Sequence, residues 1–250
     1  MIRQIKGAGA MSGFDITPKN TKDAAGDLIK IWRECFPADN ATADAERFAA
    51  HSGARTLFLR ADESAVGMCS LVPLIAGRLR GIYLFAVGIL PEYRCRGGLR
   101  LLCRAAHALA VREGCDFTAL VPADEALAAT YRRYGYCTEI RIPRYTVPDA
   151  AGLVPSDMPP PVRRGDAVMP SPGFISYIRA SYRGFSLGNS FMLCGENENG
   201  TRRVYEYIPG NGCDSVLPAP PGAYGLAMPL GGRAAYLPQD MTFYCSMGED

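Results

Sequence analysis

The stretch that most constrains this chain runs from Tyr83 to Arg104, YLFAVGILPEYRCRGGLRLLCR. Six of the seven residues from Tyr83 to Ile89 are apolar or aromatic, and Gly81 and Pro91 bound the run. It is too short for an ordinary helix and predicts a strand covered on both faces. Pro91 has no N–H to donate and ends the ladder. Beyond Arg94-Cys95-Arg96-Gly97-Gly98-Leu99-Arg100, the residues Leu102, Ala105, Ala106 and Leu109 recur on one helical face until Gly114 stops the pattern. The chain thus commits to a strand, a glycine-bearing loop and a helix in direct succession.

That succession gathers unpaired backbone N–H groups at the positive end of a helix dipole, where phosphate oxygens are well accommodated. Gly97 and Gly98 let the backbone come close to such a ligand, and Arg94, Arg96 and Arg100 offer charge-assisted hydrogen bonds. Taken alone, the loop reads equally well as an ordinary connection. No G-K-[ST] follows the glycines, which excludes a triphosphate P-loop, and G-x-G-x-x-G is missing too.

Arg94-x-x-Gly97 after Pro91-Glu92-Tyr93 resembles the acyl-CoA pyrophosphate loop of the GNAT superfamily of N-acetyltransferases, [RQ]-x-x-G-x-[GA], with Leu99 where a small residue is usual. Its Eis-like (enhanced intracellular survival) branch carries R-x-R-G, two apolar residues and R, a variant that Arg94, Arg96, Gly97, Leu99 and Arg100 fit. A second block, Tyr131-Arg132-Arg133-Tyr134-Gly135-Tyr136, is similar to the family's Y-x-[RK]-[FY]-G-[FY]. The resemblance covers Gly53 to about Ile140. It implies an α+β GNAT-like fold with a central mixed sheet, and acetyl-CoA as acyl donor to a primary amine of a small molecule or peptide.

The resemblance also assigns roles. Val87, Gly88 and Ile89 would present backbone groups to the pantetheine amides, in the manner of an added strand, or serve simply as core. Arg94, Cys95, Arg96, Gly97, Gly98 and Leu99 would hold the pyrophosphate. Asp124 stands where many members place a cofactor-contacting Asn, with capping of the following helix as its other role. Tyr131 would protonate the departing thiolate, a phenol near pKa 10 being matched to that task; its competing role is packing. No acidic residue lies in Tyr83–Ile89 to act as base, and the Eis-like branch implies the C-terminal carboxylate, here Asp250. Cys95 lies between two arginines, a setting that lowers a thiol pKa, but no partner His accompanies it. A non-catalytic acyl-CoA-binding module, and a partner-binding protein with no cofactor, are the competing functions.

Composition removes other classes. A formal charge of +2, with Lys and Arg spread along the chain, offers no footprint for nucleic acid. No apolar run reaches the 18 or more residues of a spanning helix, and MIRQIKGAGAMSG has no signal-peptide core. Nine cysteines without a C-x-x-C pair suit buried thiols in a reducing cytoplasm. With only His51 and His107, a histidine-based metal site is not expected; His107 is expected as a partly exposed or capped imidazole. A homo-oligomer is allowed but has no signature.

In chain order, a first strand is expected at Ile2–Ile5 or Phe14–Thr17. Helices follow from Thr21 to Phe36 and from Thr42, as N-cap, to Ala50. Strands are expected at Arg55–Arg60, Ala65–Leu74 and Leu79–Ile89, then at Asp116–Val121 after a crossover. A helix Glu125–Tyr134 stops at Gly135, and Cys137–Thr146 returns as a strand. Pro148, Pro155 and Pro159 to Pro161 mark a linker. The domains expected are 1–147, the acetyl-CoA-binding unit; 148–164, the linker; and 165–250, a smaller sheet-rich module, for which the Eis-like resemblance offers a shortened second GNAT-like unit as one reading. That last module holds a helix Gly173–Tyr182 and strands near Phe191–Glu196, Arg202–Ile208, Ala223–Met228 and Met241–Ser246. Glu34, Asp39 and Asp44 could attract a cationic acceptor, although charges there are ordinarily just solvated.

Overall fold

Two long apolar runs form the middle of the protein: β3 (Ser64–Ala76) and β4 (Leu79–Ile89), buried along most of their length as their near-continuous hydrophobicity requires. The computed structural model describes residues 13–142, 145–148, 151–161, 167–209, 217–218, 224–230 and 242–243. Before β3 lie β1 (Phe14–Asn20), α1 (Ala25–Cys35), α2 (Ala41–His51) and β2 (Arg55–Ala61); after β4 come α3 (Gly98–Arg112), β5 (Phe117–Leu120), α4 (Glu125–Arg132) and β6 (Thr138–Arg141). The alternative first strand at Ile2–Ile5 lies outside the described residues.

β1 to β4 pair antiparallel in sequence order, and β4 pairs parallel with β5 through the α3 crossover. α3 buries Leu102, Cys103, Ala105, Ala106, Leu109 and Ala110, the periodic face legible in the sequence. Arg55 on β2 grips Glu113 past the end of α3 through two hydrogen bonds of 2.6 and 2.7 Å. Behind β2, Ser70 donates to Thr56, Thr56 to Thr21 and Thr21 to the Ala54 carbonyl. This directed chain leaves none of the three buried hydroxyls unsatisfied.

The second half of the chain departs from the expected layout. β7 (Tyr145–Pro148), β8 (Val154–Pro155), β10 (Arg183–Leu187), β11 (Ser190–Glu198), β12 (Thr201–Ile208) and β13 (Leu217–Pro218) form a six-stranded sheet of their own. β9 (Ala167–Pro170), β14 (Tyr224–Pro229) and β15 (Thr242–Phe243) instead join the first sheet, in the order β1-β2-β3-β4-β5-β14-β6-β15-β9. β14 lies between β5 and β6, antiparallel to both. β9 takes up the edge of β3 at Leu74–Ala76, where β2 no longer reaches, so the sheet closes on itself. The composition boundary at 148–164 therefore does not coincide with the division between sheets. The strand expected over Cys137–Thr146 is two strands, β6 and β7, one in each sheet.

α5 (Pro172–Ser181) packs on α2 and sends Phe174 and Tyr177 into an aromatic cluster with Trp32, Phe48, Tyr83 and Phe85, at centroid separations of 5.1–6.4 Å. Its Arg179 makes two hydrogen bonds, 2.9 and 2.6 Å, to buried Glu206 on β12, tying the second sheet to this helix. The N-cap of α2 is Asn40 rather than Thr42, without a side-chain bond, and Asp44 is paired with Arg47 one turn on.

Candidate active site at the splayed strands

β4 and β5 are hydrogen-bonded only from Gly81↔Phe117 to Leu84↔Leu120, because β5 ends there while β4 continues to Ile89. Past Leu84 the two parallel strands part, and among the described residues the β5-facing side of Phe85 to Ile89 has no strand partner. On the other side the β3 register shifts: Met68 pairs with Gly88 and Ser70 with Phe85, so Ala86 and Val87 together oppose Cys69. This is a bulge, and Ala86 stands in it at φ +48°, a left-handed conformation costly for a residue with a Cβ. No local signal in YLFAVGI marks the bulge.

The loop that follows is shaped for close approach. Pro91–Tyr93 makes one 3-10 turn, Cys95 adopts φ +60°, and Gly97 is left-handed at φ +81° and ψ 2° as the N-cap of α3. The first amides of α3 have no preceding turn to bond to. Gly98 is needed for a different reason than ligand approach: a Cβ there would stand 2.6 Å from Leu59 Cδ2 and 3.1 Å from Ile89 Cδ1. It lets α3 sit on β2 and β4, while Gly97 supplies the left-handed turn into the helix.

The arginines are not equivalent. Arg94 turns back, its Nε donating to the Ile89 carbonyl at 3.0 Å, and its positive charge acts on the Cys35 thiol at the end of α1. Burial raises the Cys35 thiol pKa, and Arg94 only partly opposes this. Arg96 lies over the Tyr93 ring, 5.4 Å from its centroid, exposed at the mouth of the loop. Leu99 is half-buried against the core. On the α1 side of β4, Gly88 is covered by Cys35 and Phe36, so closely that a Cβ would be 2.9 Å from Cys35.

Val87, Gly88 and Ile89 are thus brought together with Arg94 to Leu99. Asp124 spends its carboxylate on capping α4, accepting from the Leu127 N–H at 2.7 Å. Tyr131 is 5 % exposed, its ring edge-to-face with Tyr136 at 5.9 Å. Its hydroxyl makes no hydrogen bond among the described residues, yet it is not among their fully buried polar atoms. Burial pushes its pKa well above that of an ordinary phenol, and the thiols of Cys103 and Cys69 add to the rise. Asp250 lies outside the described residues. Among those residues no group of three metal-binding side chains occurs, and no helix is long and apolar enough to cross a membrane.

His107 is partly exposed and capped, as expected, but its partner lies far off in the chain: its Nε2 is 2.8 Å from the hydroxyl of fully buried Tyr136, which also receives a hydrogen bond of 3.2 Å from Thr118. Burial pushes the imidazole down to about pKa 4. A histidine so depressed is neutral in the folded protein while the unfolded chain already takes up a proton. Its contribution is complete above pH 6.5 and is lost as pH falls towards 4, by up to about 3 kcal/mol. Urea titrations at about pH 7 and 4.5 should show His107→Gln losing less stability on acidification than the unaltered protein; equal losses would refute the assignment.

Residues 25–136 match the model of the acetyltransferase (GNAT) family. Among solved structures, a protein of Pyrococcus horikoshii provisionally assigned as an acetyltransferase is 14% identical, with 96% of this chain and 95% of that one covered and a TM-score of 0.63. Eis1 from Mycobacterium abscessus is 11% identical over 87% of this chain and 73% of its own, with a TM-score of 0.57. A GCN5-related N-acetyltransferase from Kribbella flavida is 15% identical over 88% and 72%, with a TM-score of 0.53. At these identities the likeness is one of fold. A search of curated proteins found no match.

Proposed function

Since residues 25–136 belong to the acetyltransferase (GNAT) family, we propose that this protein transfers an acetyl group from acetyl-CoA to a primary amine of a small molecule or peptide. The observation that carries the reading is the parting of β4 and β5 after Leu84 directly beside a left-handed Gly97 and the first turn of α3. An extended chain of amides needs an unpaired strand edge, and a pyrophosphate needs clustered N–H donors at a helix start. The two lie consecutively along the chain here. The Eis-like reading draws on the R-x-R-G loop and on the fold shared with Eis1.

Val87, Gly88 and Ile89 would hold the pantetheine arm, and Cys95 to Leu99 the phosphates. Acetyl-CoA supplies a thioester carbonyl open to an amine and a thiol as leaving group. Tyr131 holds a proton at a hydroxyl that no group among the described residues engages. Because burial lifts its pKa above the ordinary phenol value, complete transfer to a thiolate is uphill. Tyr131 instead donates a hydrogen bond that strengthens as charge develops on sulfur. The unpaired thiols among the described residues are in keeping with a reducing compartment such as the cytoplasm.

Calorimetric titration with acetyl-CoA tests the cofactor half of this reading. Arg96→Ala should weaken binding by about 1.5–3 kcal/mol, roughly tenfold or more. Arg94→Ala should do less direct harm, because Arg94 already bonds the Ile89 carbonyl. Unchanged affinity in Arg96→Ala would mean that the phosphates bind elsewhere. Thiol release with a panel of amines separates an enzyme from a non-catalytic acyl-CoA-binding module.

A further inference from the structure

We infer that His107 and Tyr136 together are a positioning device for the Tyr131 ring, which rests on the reading of Tyr131 as the group facing the leaving sulfur. A side chain that must present one hydroxyl to a reacting atom has to be held by something. Among the described residues nothing bonds the Tyr131 hydroxyl, so packing against its ring sets its direction. The neighbour in edge-to-face contact is Tyr136, fully buried and 5.9 Å away between centroids.

Tyr136 is itself pinned from two elements. Thr118 on β5 donates to the phenol oxygen at 3.2 Å, so the single phenol proton is free to go to His107 Nε2 on α3, 2.8 Å away. The His107 and Tyr136 rings also meet, at 5.4 Å and 44°. That polarity requires neutral His107, with its lone pair on Nε2 and its proton on Nδ1. Two hydrogen bonds from different elements prevent the Tyr136 ring from swinging, and the Tyr131 ring leans on the ring they hold. α3 begins at the loop and β5 ends where the paired strands part, so the same pin relates Tyr131 to both halves of the cofactor-facing cleft.

The test combines thiol release, using acetyl-CoA and the best amine of a panel, with ¹⁹F NMR of protein labelled with 3-fluorotyrosine. The Tyr131 signal is identified by its loss in Tyr131→Phe. His107→Leu should shift or broaden that signal and lower kcat about tenfold, leaving KM for acetyl-CoA within about twofold. His107→Gln, whose amide oxygen can accept at the same place, should restore most of both. An unmoved Tyr131 signal with unaltered kcat in His107→Leu, accompanied only by a lower melting temperature, would overturn the inference. Should that variant not fold, Tyr136→Phe keeps the ring and removes the pin, with the same two outcomes deciding. If the unaltered protein turns over no amine, the proposed function fails, and the NMR signal alone still decides whether His107 and Tyr136 position Tyr131.

Discussion

A chain ended at residue 147 will not fold, although it contains every motif read from the sequence. Such a fragment has lost β14, the strand between β5 and β6, so Phe117 to Leu120 faces solvent along an unpaired edge. It has also lost Phe174, Tyr177, Ile178, Leu226, Ala227 and Phe243, all buried in the core shared with Phe48, Tyr83 and Phe85. Removing one large buried side chain costs about 2–5 kcal/mol, and a whole domain has only about 5–15 kcal/mol to lose. Several such losses at once exceed that margin. The expected result is a fragment with no cooperative thermal transition and no heat on mixing with acetyl-CoA, while residues 1–250 give both. Co-expressing residues 148–250 should rescue it, since the missing pieces are strands and a helix rather than a linker. A fragment 1–147 that melts cooperatively and binds acetyl-CoA would show that β14 and α5 are accessories.

Replacing Tyr131 by Phe should reduce kcat by about 10²-fold, at the low end of what a positioned acid contributes. Burial has raised the pKa of this hydroxyl, so on the proposed reading it would support the sulfur mainly by hydrogen bonding and the effect falls at the low end. Affinity for acetyl-CoA should stay within about twofold, as the ring and its contact with Tyr136 are kept. Activity in the unaltered protein should not fall with the titration of this group near neutrality, because the phenol stays protonated there. Steady-state kinetics beside calorimetry would check this; full turnover in Tyr131→Phe would leave the tyrosine a packing residue and place the proton donor elsewhere.

Local residue order made much of the fold legible. Pro91 had to end β4, the apolar face from Leu102 to Leu109 had to be a helix, and Asp124 was well suited to cap α4; the structure has all three. Other features depend on partners distant in the chain. The bulge at Ala86 exists because β3 and β4 are held in two registers, one on either side of Cys69. Arg94 turns back onto the Ile89 carbonyl at the end of a strand whose Gly88 is covered by Cys35 of α1, and no spacing within the loop foretells that. His107 meets Tyr136 across 29 residues.

By itself the sequence determined the strand, the glycine loop and the helix, and with them the place where a phosphate could bind, since proline, glycine and apolar spacing act over a few residues. Only the tertiary structure decided that β14 completes the sheet beside β5, which arginine turns back onto the strand before it, and what packs against the ring of Tyr131. Those depend on which surfaces meet when distant segments bury their apolar faces together, and a hydrogen bond or ring contact across a hundred residues leaves no mark on the residues in between.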